Sequence, residues 1–259
     1  MDKRHLRILC VVRARTGALV ESGVLIIAFF VAAVLYASVG HAGGSGYLAV
    51  MAFAGTPAPV MRPTALVLNL LVASIAVVRF SRAGFFSWRL FWPFALGSIP
   101  LAFVGGAITL PGHWYRTLVG LVLWAAAIRL WLDLQRKTPR HPPIPAAVLC
   151  GGGIGFLAGI TGTGGGIFLS PLLLFMGWAD TRETGGVSAA FILVTSAAGL
   201  AANPSSIGHL PAEMPLWSAA AVAGGLIGAE LGSRRIGTTT FRRLLGVVLV
   251  IAGAKLIFS

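Results

Sequence analysis

Two apolar stretches of this chain are broken by runs of glycine: Val39-Gly40-His41-Ala42-Gly43-Gly44-Ser45-Gly46 and, 122 residues later, Thr161-Gly162-Thr163-Gly164-Gly165-Gly166. Glycine in a helix interior costs about 1 kcal/mol relative to alanine and invites unwinding. Lipid cannot solvate the backbone groups that unwinding frees, so such a break at membrane depth is tolerated only where it is buried in protein or lines a site. A break that occurs twice in corresponding places points to the binding site of a carrier.

The surrounding sequence places the breaks in a membrane. Of 259 residues 57% are hydrophobic and 10% charged, and mean hydropathy is +0.89. Stretches near the roughly 20 residues a bilayer crossing needs recur at 23–40, 64–80, 90–109, 116–133, 146–162, 185–202, 214–231 and 242–258. Each break is followed by a shorter apolar segment, 47–55 and 167–177, of a length that suits a re-entrant half-helix. The fold expected is an all-α integral membrane protein of about eight transmembrane helices.

A shift of 122 superposes Gly40 on Gly162, Gly43 and Gly44 on Gly165 and Gly166, Gly55 on Gly177, Leu71 on Leu193 and Ser74 on Ser196; a shift of 126 later superposes Arg116 on Arg242 and Gly120 on Gly246. The chain therefore divides into a basic tail (1–22), a first membrane repeat (23–133), a Pro-rich linker (134–145) and a second repeat (146–259). Four spans per half would give both copies one orientation, whereas a fifth crossing in each would invert them.

The net charge of +13 is spread through short connections and so reads as a topology signal, not as a nucleic-acid surface. With four spans per half, the tail (Lys3, Arg4, Arg7, Arg13, Arg15), the 79–90 loop and the linker share one side, taken as cytoplasmic, and the cluster Arg234, Arg235, Arg242 and Arg243 faces outward against the rule. Gly151, Gly155 and Gly159, like Gly224, Gly228 and Gly232, recur every four residues as small packing surfaces, with a homo-oligomer interface as their second use.

A helix that restarts after a break presents unpaired amides and the positive end of its dipole, an arrangement that binds anions. The candidate binding residues are Gly43, Gly44, Ser45 and Gly46 in the first break and Thr161, Thr163, Gly164, Gly165 and Gly166 in the second. Asn69, Ser188 and Thr195 join them: subtracting 122 maps Ser188 and Thr195 to positions 66 and 73, on one helix face with 69. Of the seven acids only Glu230 and Asp133, the last residue of its stretch, fall inside a span, so an anion is favoured over a cation, whose carrier would place carboxylates at mid-membrane. His41, Arg62, Arg182 and Glu230 are candidates for gating or coupling, with an ion pair to Arg234 the alternative for Glu230.

Gly43-Gly44-Ser45-Gly46 also fits the short G-x-S-G pattern of rhomboid-type intramembrane serine proteases, but His41 is too close to Ser45 to come from a partner helix and Ile167 stands at the matching place of the second copy. A third reading is a non-transporting membrane partner. No H-E-x-x-H, Walker glycine loop or C-x-x-C pair is present, so no catalytic residue, metal or cofactor is expected.

The segments Tyr36–Ala49, Ala65–Asn69 and Gly159–Pro171, with the duplicated halves, resemble the sulfite exporter (TauE/SafE) family, also called the toluene-sulfonate uptake permeases. The resemblance implies a transporter of sulfite or organosulfonates in the bacterial inner membrane, with the lipid bilayer and a small anion as its partners. Many members carry proline where this chain has Ala49, the counterpart of Pro171.

Overall fold

A computed structural model describes residues 23–131, 142–234, 250 and 253–258. The basic tail, most of the linker, Cys10, Arg235, Arg242 and Arg243 lie outside the described residues. The described elements are helical: α1 (Gly23–Ala37), α2 (Gly44–Phe53), α3 (Ala58–Arg82), α4 (Trp88–Ala107), α5 (Gly112–Trp131), α6 (Ile144–Thr161), α7 (Gly166–Met176), α8 (Thr181–Ala201), a 3-10 turn (Pro204–His209) and α9 (Met214–Arg234), with a last helical stretch at 253–258. By length and composition, α3, α4, α6, α8 and α9 are five helices able to cross a membrane. Large apolar side chains such as Leu96, Leu121, Leu149, Leu216 and Ile227 stay exposed on the outside of the bundle, which suits a perimeter solvated by lipid.

The glycines decide where helices begin and end. Gly43 (φ 108°) precedes α2, Gly162 (φ 79°) closes α6 and Gly165 (φ 73°) precedes α7, all in the left-handed region that L side chains rarely adopt. At 10 and 11 residues, α2 and α7 reach about 15 Å, half the hydrocarbon thickness.

Glycine seams set the directions of the helices. A Cβ added to Gly151, Gly155 or Gly159 would fall 2.4, 2.5 or 2.2 Å from the carbonyl oxygens of Phe94, Ser98 and Ala102, so α6 lies in backbone contact with α4 and runs the same way. Gly224, Gly228 and Gly232 of α9 meet the carbonyls of Phe30, Val34 and Ser38 at 2.4, 2.3 and 2.1 Å, so α9 and α1 are also parallel. Both stripes are thus used inside one chain. Gly155→Ala is expected to push α4 and α6 apart and cost about 1–3 kcal/mol, read as a lower unfolding midpoint in detergent; Gly153→Ala, where a Cβ meets nothing within 4 Å, should leave it unchanged.

The α9 helix also parallels α3, since Gly225 sits against Val72 and Glu230 pairs with Arg79. In contrast, α8 opposes α3: Gly185 lies on Phe80 near its start and Gly199 on Leu66 near its end. Thus α1, α3, α5, α7 and α9 run from the Ala58 end of the bundle to the Arg82 end, and α2, α4, α6 and α8 run back. Elements related by the shifts of 122 and 126, α1 and α6, α2 and α7, α3 and α8, α4 and α9, point in opposite directions. The expectation of a common orientation for the halves is corrected here, because in each of them the break and its half-helix reverse the chain once more. Two consequences follow for the basic segments. Gly23, where α1 starts, lies at the Ala58 end, away from the 83–87 loop; and α9 delivers Arg234 to the Arg82 end, with Arg79 and Arg82.

Candidate functional site

The two breaks meet inside the bundle. A Cβ on Gly44 would fall 2.5 Å from the Thr163 carbonyl oxygen and 2.7 Å from Asn69 Nδ2, and one on Gly164 would fall 2.9 Å from the same Nδ2 and 3.3 Å from Ser196 Oγ. The start of α2, the second break and the middle of α3 are therefore in contact at a point that only glycine permits. No side chain caps either α2 or α7, so both present their first amides and positive dipole ends here.

Buried side chains tie the junction together. Asn69 Nδ2 donates to Gly162 O (3.2 Å), and Thr195 Oγ1 shares its proton between Gly164 O (2.9 Å) and its own helix at Phe191 O (2.8 Å). His41 reaches across from the first break: Nε2 lies 2.9 Å from Gly166 O and 2.9 Å from Ser170 Oγ, which is 2.8 Å from Ser188 Oγ. Asn69 Oδ1 and Ser196 Oγ, both fully buried, have no hydrogen-bond partner among the described residues. An unsatisfied buried polar atom costs about 1–3 kcal/mol, and two of them beside two uncapped helix starts make a place suited to a polar guest.

Of the residues expected from the sequence, the structure brings together Gly44, Asn69, Thr163, Gly164, Gly166, Ser188, Thr195 and His41. Three hydroxyls are engaged locally instead: Ser45 Oγ donates to Tyr36 Oη (2.8 Å), and Thr161 Oγ1 donates to Leu157 O (2.7 Å) while lying 2.9 Å from Thr163 Oγ1. Gly43 and Gly46 accommodate the rings of Tyr47 and Tyr36, and Gly165 that of Phe191. Ser45, the nucleophile of the protease reading, thus has a tyrosine and not a histidine at its hydroxyl. Two participants are not among the residues expected from the sequence: Ser170, a lone hydroxyl in the apolar α7, and Ser196, whose repeat equivalent Ser74 donates back to Leu70 O (2.7 Å).

Comparison with known proteins fits this arrangement. The sulfite exporter TauE/SafE family model matches residues 25–256. The chain belongs to the TauE/SafE family. It is 41% identical over 240 residues to a probable membrane transporter protein, y4hK, of Sinorhizobium fredii (strain NBRC 101917 / NGR234), an alignment covering 90% of this chain and 97% of that protein. No solved structure matches it. Family and relative are both described as transporters, which makes this TauE/SafE chain a multi-pass membrane transporter and points away from an enzyme.

The remaining polar candidates of the TauE/SafE chain sit away from the junction. Arg62, on the first turns of α3, is buried and donates to Ile108 O (2.7 Å) and Gly106 O, securing the end of α4. It forms the wall of a cavity of about 200 Å³ at the Ala58 end, shared with Tyr115, Asn203, Ser206 and His209. Tyr115 Oη donates to Thr161 O (3.0 Å) and a Cβ on Gly162 would meet Arg62 Cγ at 3.1 Å, so the cavity adjoins the second break. Arg182 lies at the opposite end, its guanidinium 4.9 Å from the centre of the Phe85 ring.

Glu230 makes an ion pair with Arg79 (2.9 Å), with both side chains about one-third exposed. One partner of Glu230 is thus on α3, while the side chain of Arg234, the i, i+4 candidate, lies outside the described ones. A pair this exposed contributes at most about 1 kcal/mol. Glu230→Gln is accordingly expected to leave the initial rate of anion flux in vesicles within about twofold of the parent protein; a proton-coupling acid would lose flux or its pH response.

Proposed function

We propose that this chain is a secondary carrier of small anions of the sulfite or organosulfonate class, which it holds where the two glycine breaks meet. The observation that carries the reading is the convergence of two uncapped helix starts on a buried cluster of polar atoms that includes the Ser196 hydroxyl and Asn69 carbonyl oxygen, which have no partner among the described residues. Amides and hydroxyls donate to the oxygens of sulfite or a sulfonate, while Asn69 Oδ1 accepts from bound water or an acid hydrogen of the guest. The described carboxylates stand elsewhere: Asp180 and Glu183 at the start of α8, Glu213 ahead of α9, Glu230 beside Arg79. The cavity at Arg62 serves as the vestibule, its positive wall raising the local concentration of anions before they reach the second break.

The halves are two copies inverted about an axis in the membrane plane, and the site falls where both contribute one break, as in other carriers built from inverted repeats. The basic residues Arg79, Arg82, Arg89, Arg182 and Arg234 support a reading in which the Arg82 end lies in the cytoplasm and the membrane is the inner one. The residue 23 end then faces outward. Labelled sulfite and a few small sulfonates, offered to vesicles containing only this protein, test the function directly. Saturable flux is expected; no flux of any of them from folded protein removes the reading.

A further inference from the structure

Resting on the carrier reading, we propose that His41 is the proton-binding group of the transporter and that one proton and one anion occupy the junction together. Carbonyl oxygens flank both nitrogens of the ring. His41 is 3% exposed, its Nδ1 lies 3.1 Å from Val39 O and its Nε2 2.9 Å from Gly166 O. Backbone carbonyls only accept. A neutral imidazole carries one N–H, satisfies one of these oxygens and turns a lone pair toward the other; the doubly protonated ring satisfies both. A staple between the two breaks would need one nitrogen alone.

The serines continue the same logic. With a proton on Nε2, that one N–H is shared between Gly166 O and Ser170 Oγ, each at 2.9 Å, and Ser170 donates its own proton to Ser188 Oγ at 2.8 Å, so α7 and α8 are joined to the first break by a directed chain. Among the described residues, the groups on the elements packed around the ring can be named. On α1 and α2 they are Tyr36, which receives the Ser45 proton, and Tyr47, which donates to Ala42 O (2.6 Å). On α7 they are Ser170 and the Gly166 carbonyl, and on α8 Ser188, with Arg182 stacked on Phe85 and Glu183 in the first turn near Asp180.

The imidazolium lies beside the start of α7, where the helix dipole is already positive. Two like fields oppose each other until an anion arrives between them, and the anion gains from both. Proton and anion therefore raise each other's affinity, and by linkage the effect is reciprocal. A monoanion moving with one proton carries no net charge, so turnover does not respond to membrane potential.

The probe is methanesulfonate, which stays a monoanion across the pH range where imidazole titrates and so contributes no proton of its own. Mixing it with the protein in weakly buffered detergent is expected to take up close to one proton per anion bound. In vesicles, its flux should acidify the receiving compartment one for one, ignore an imposed potential, and lose up to tenfold in apparent affinity per pH unit on the alkaline side. His41→Gln, which keeps one amide donor but cannot titrate, should bind without proton uptake and with a flat pH profile. Binding without proton uptake in the parent protein, or a potential-driven current, overturns the inference while leaving the carrier intact. Absence of any methanesulfonate binding or flux in the parent removes the carrier reading for sulfonates and this inference with it.

Discussion

Gly44→Leu is expected to lower anion flux more than 100-fold while the protein still inserts and folds. The reason is local crowding: even the first carbon of a side chain would sit 2.5 Å from Thr163 O and 2.7 Å from Asn69 Nδ2, with 2.9 Å to Asn69 Oδ1. Neither neighbour is the loose end of a flexible chain. One is backbone in a break held by Thr195, and the other is a fully buried amide bonded to Gly162 O. The larger side chain therefore has to separate α2 from the second break, and it fills the space between the two helix starts. Flux of a labelled sulfonate into vesicles, normalised to inserted protein, measures the loss, with Gly153→Leu on an open surface as the control for insertion. Unchanged flux would remove the junction as the anion site. The same loss is expected of Gly165→Leu, at the repeat equivalent of Gly43, where left-handed φ and the Phe191 ring at 2.8 Å exclude a side chain.

Much of this geometry was legible in the residues. Glycine runs announced the two breaks because no other residue tolerates left-handed backbone without strain, and the short apolar segments after them matched half-helices. The four-residue spacing of Gly151, Gly155 and Gly159 announced a seam, because such a stripe lets backbones touch. Asn69, Ser188 and Thr195 could be aimed inward together because the repeat transfers a helix face from one half to the other. What was not legible depended on partners distant in the chain. The orientation of the halves turned on whether a ten-residue segment reverses the chain, and charges in short loops could be read both ways. Glu230 has an arginine four residues on in its own helix, and the bundle also brings it Arg79, 151 residues away. Ser170 became visible only when His41, 129 residues away, arrived at its hydroxyl.

The sign of the cargo is open to a test that changes charge at almost constant shape. Asn69→Asp keeps the side chain's outline and replaces its amide donor by a carboxylate at a fully buried position between the two breaks. The bond to Gly162 O is lost, and an ionised carboxylate would stand where the anion is held. A unit charge in a partly desolvated site is worth several kcal/mol to a like-charged guest, so flux should fall at least 100-fold relative to the parent at neutral pH. The helix starts that attract an anion also attract this carboxylate, which then occupies the site as an internal competitor. As the pH falls and the carboxyl regains a proton, it can again donate to Gly162 O, and the ratio of variant to parent flux should rise. A cation carrier would behave in the opposite way, gaining affinity from the same carboxylate and losing it in acid, so one pH series on this variant decides between the two signs.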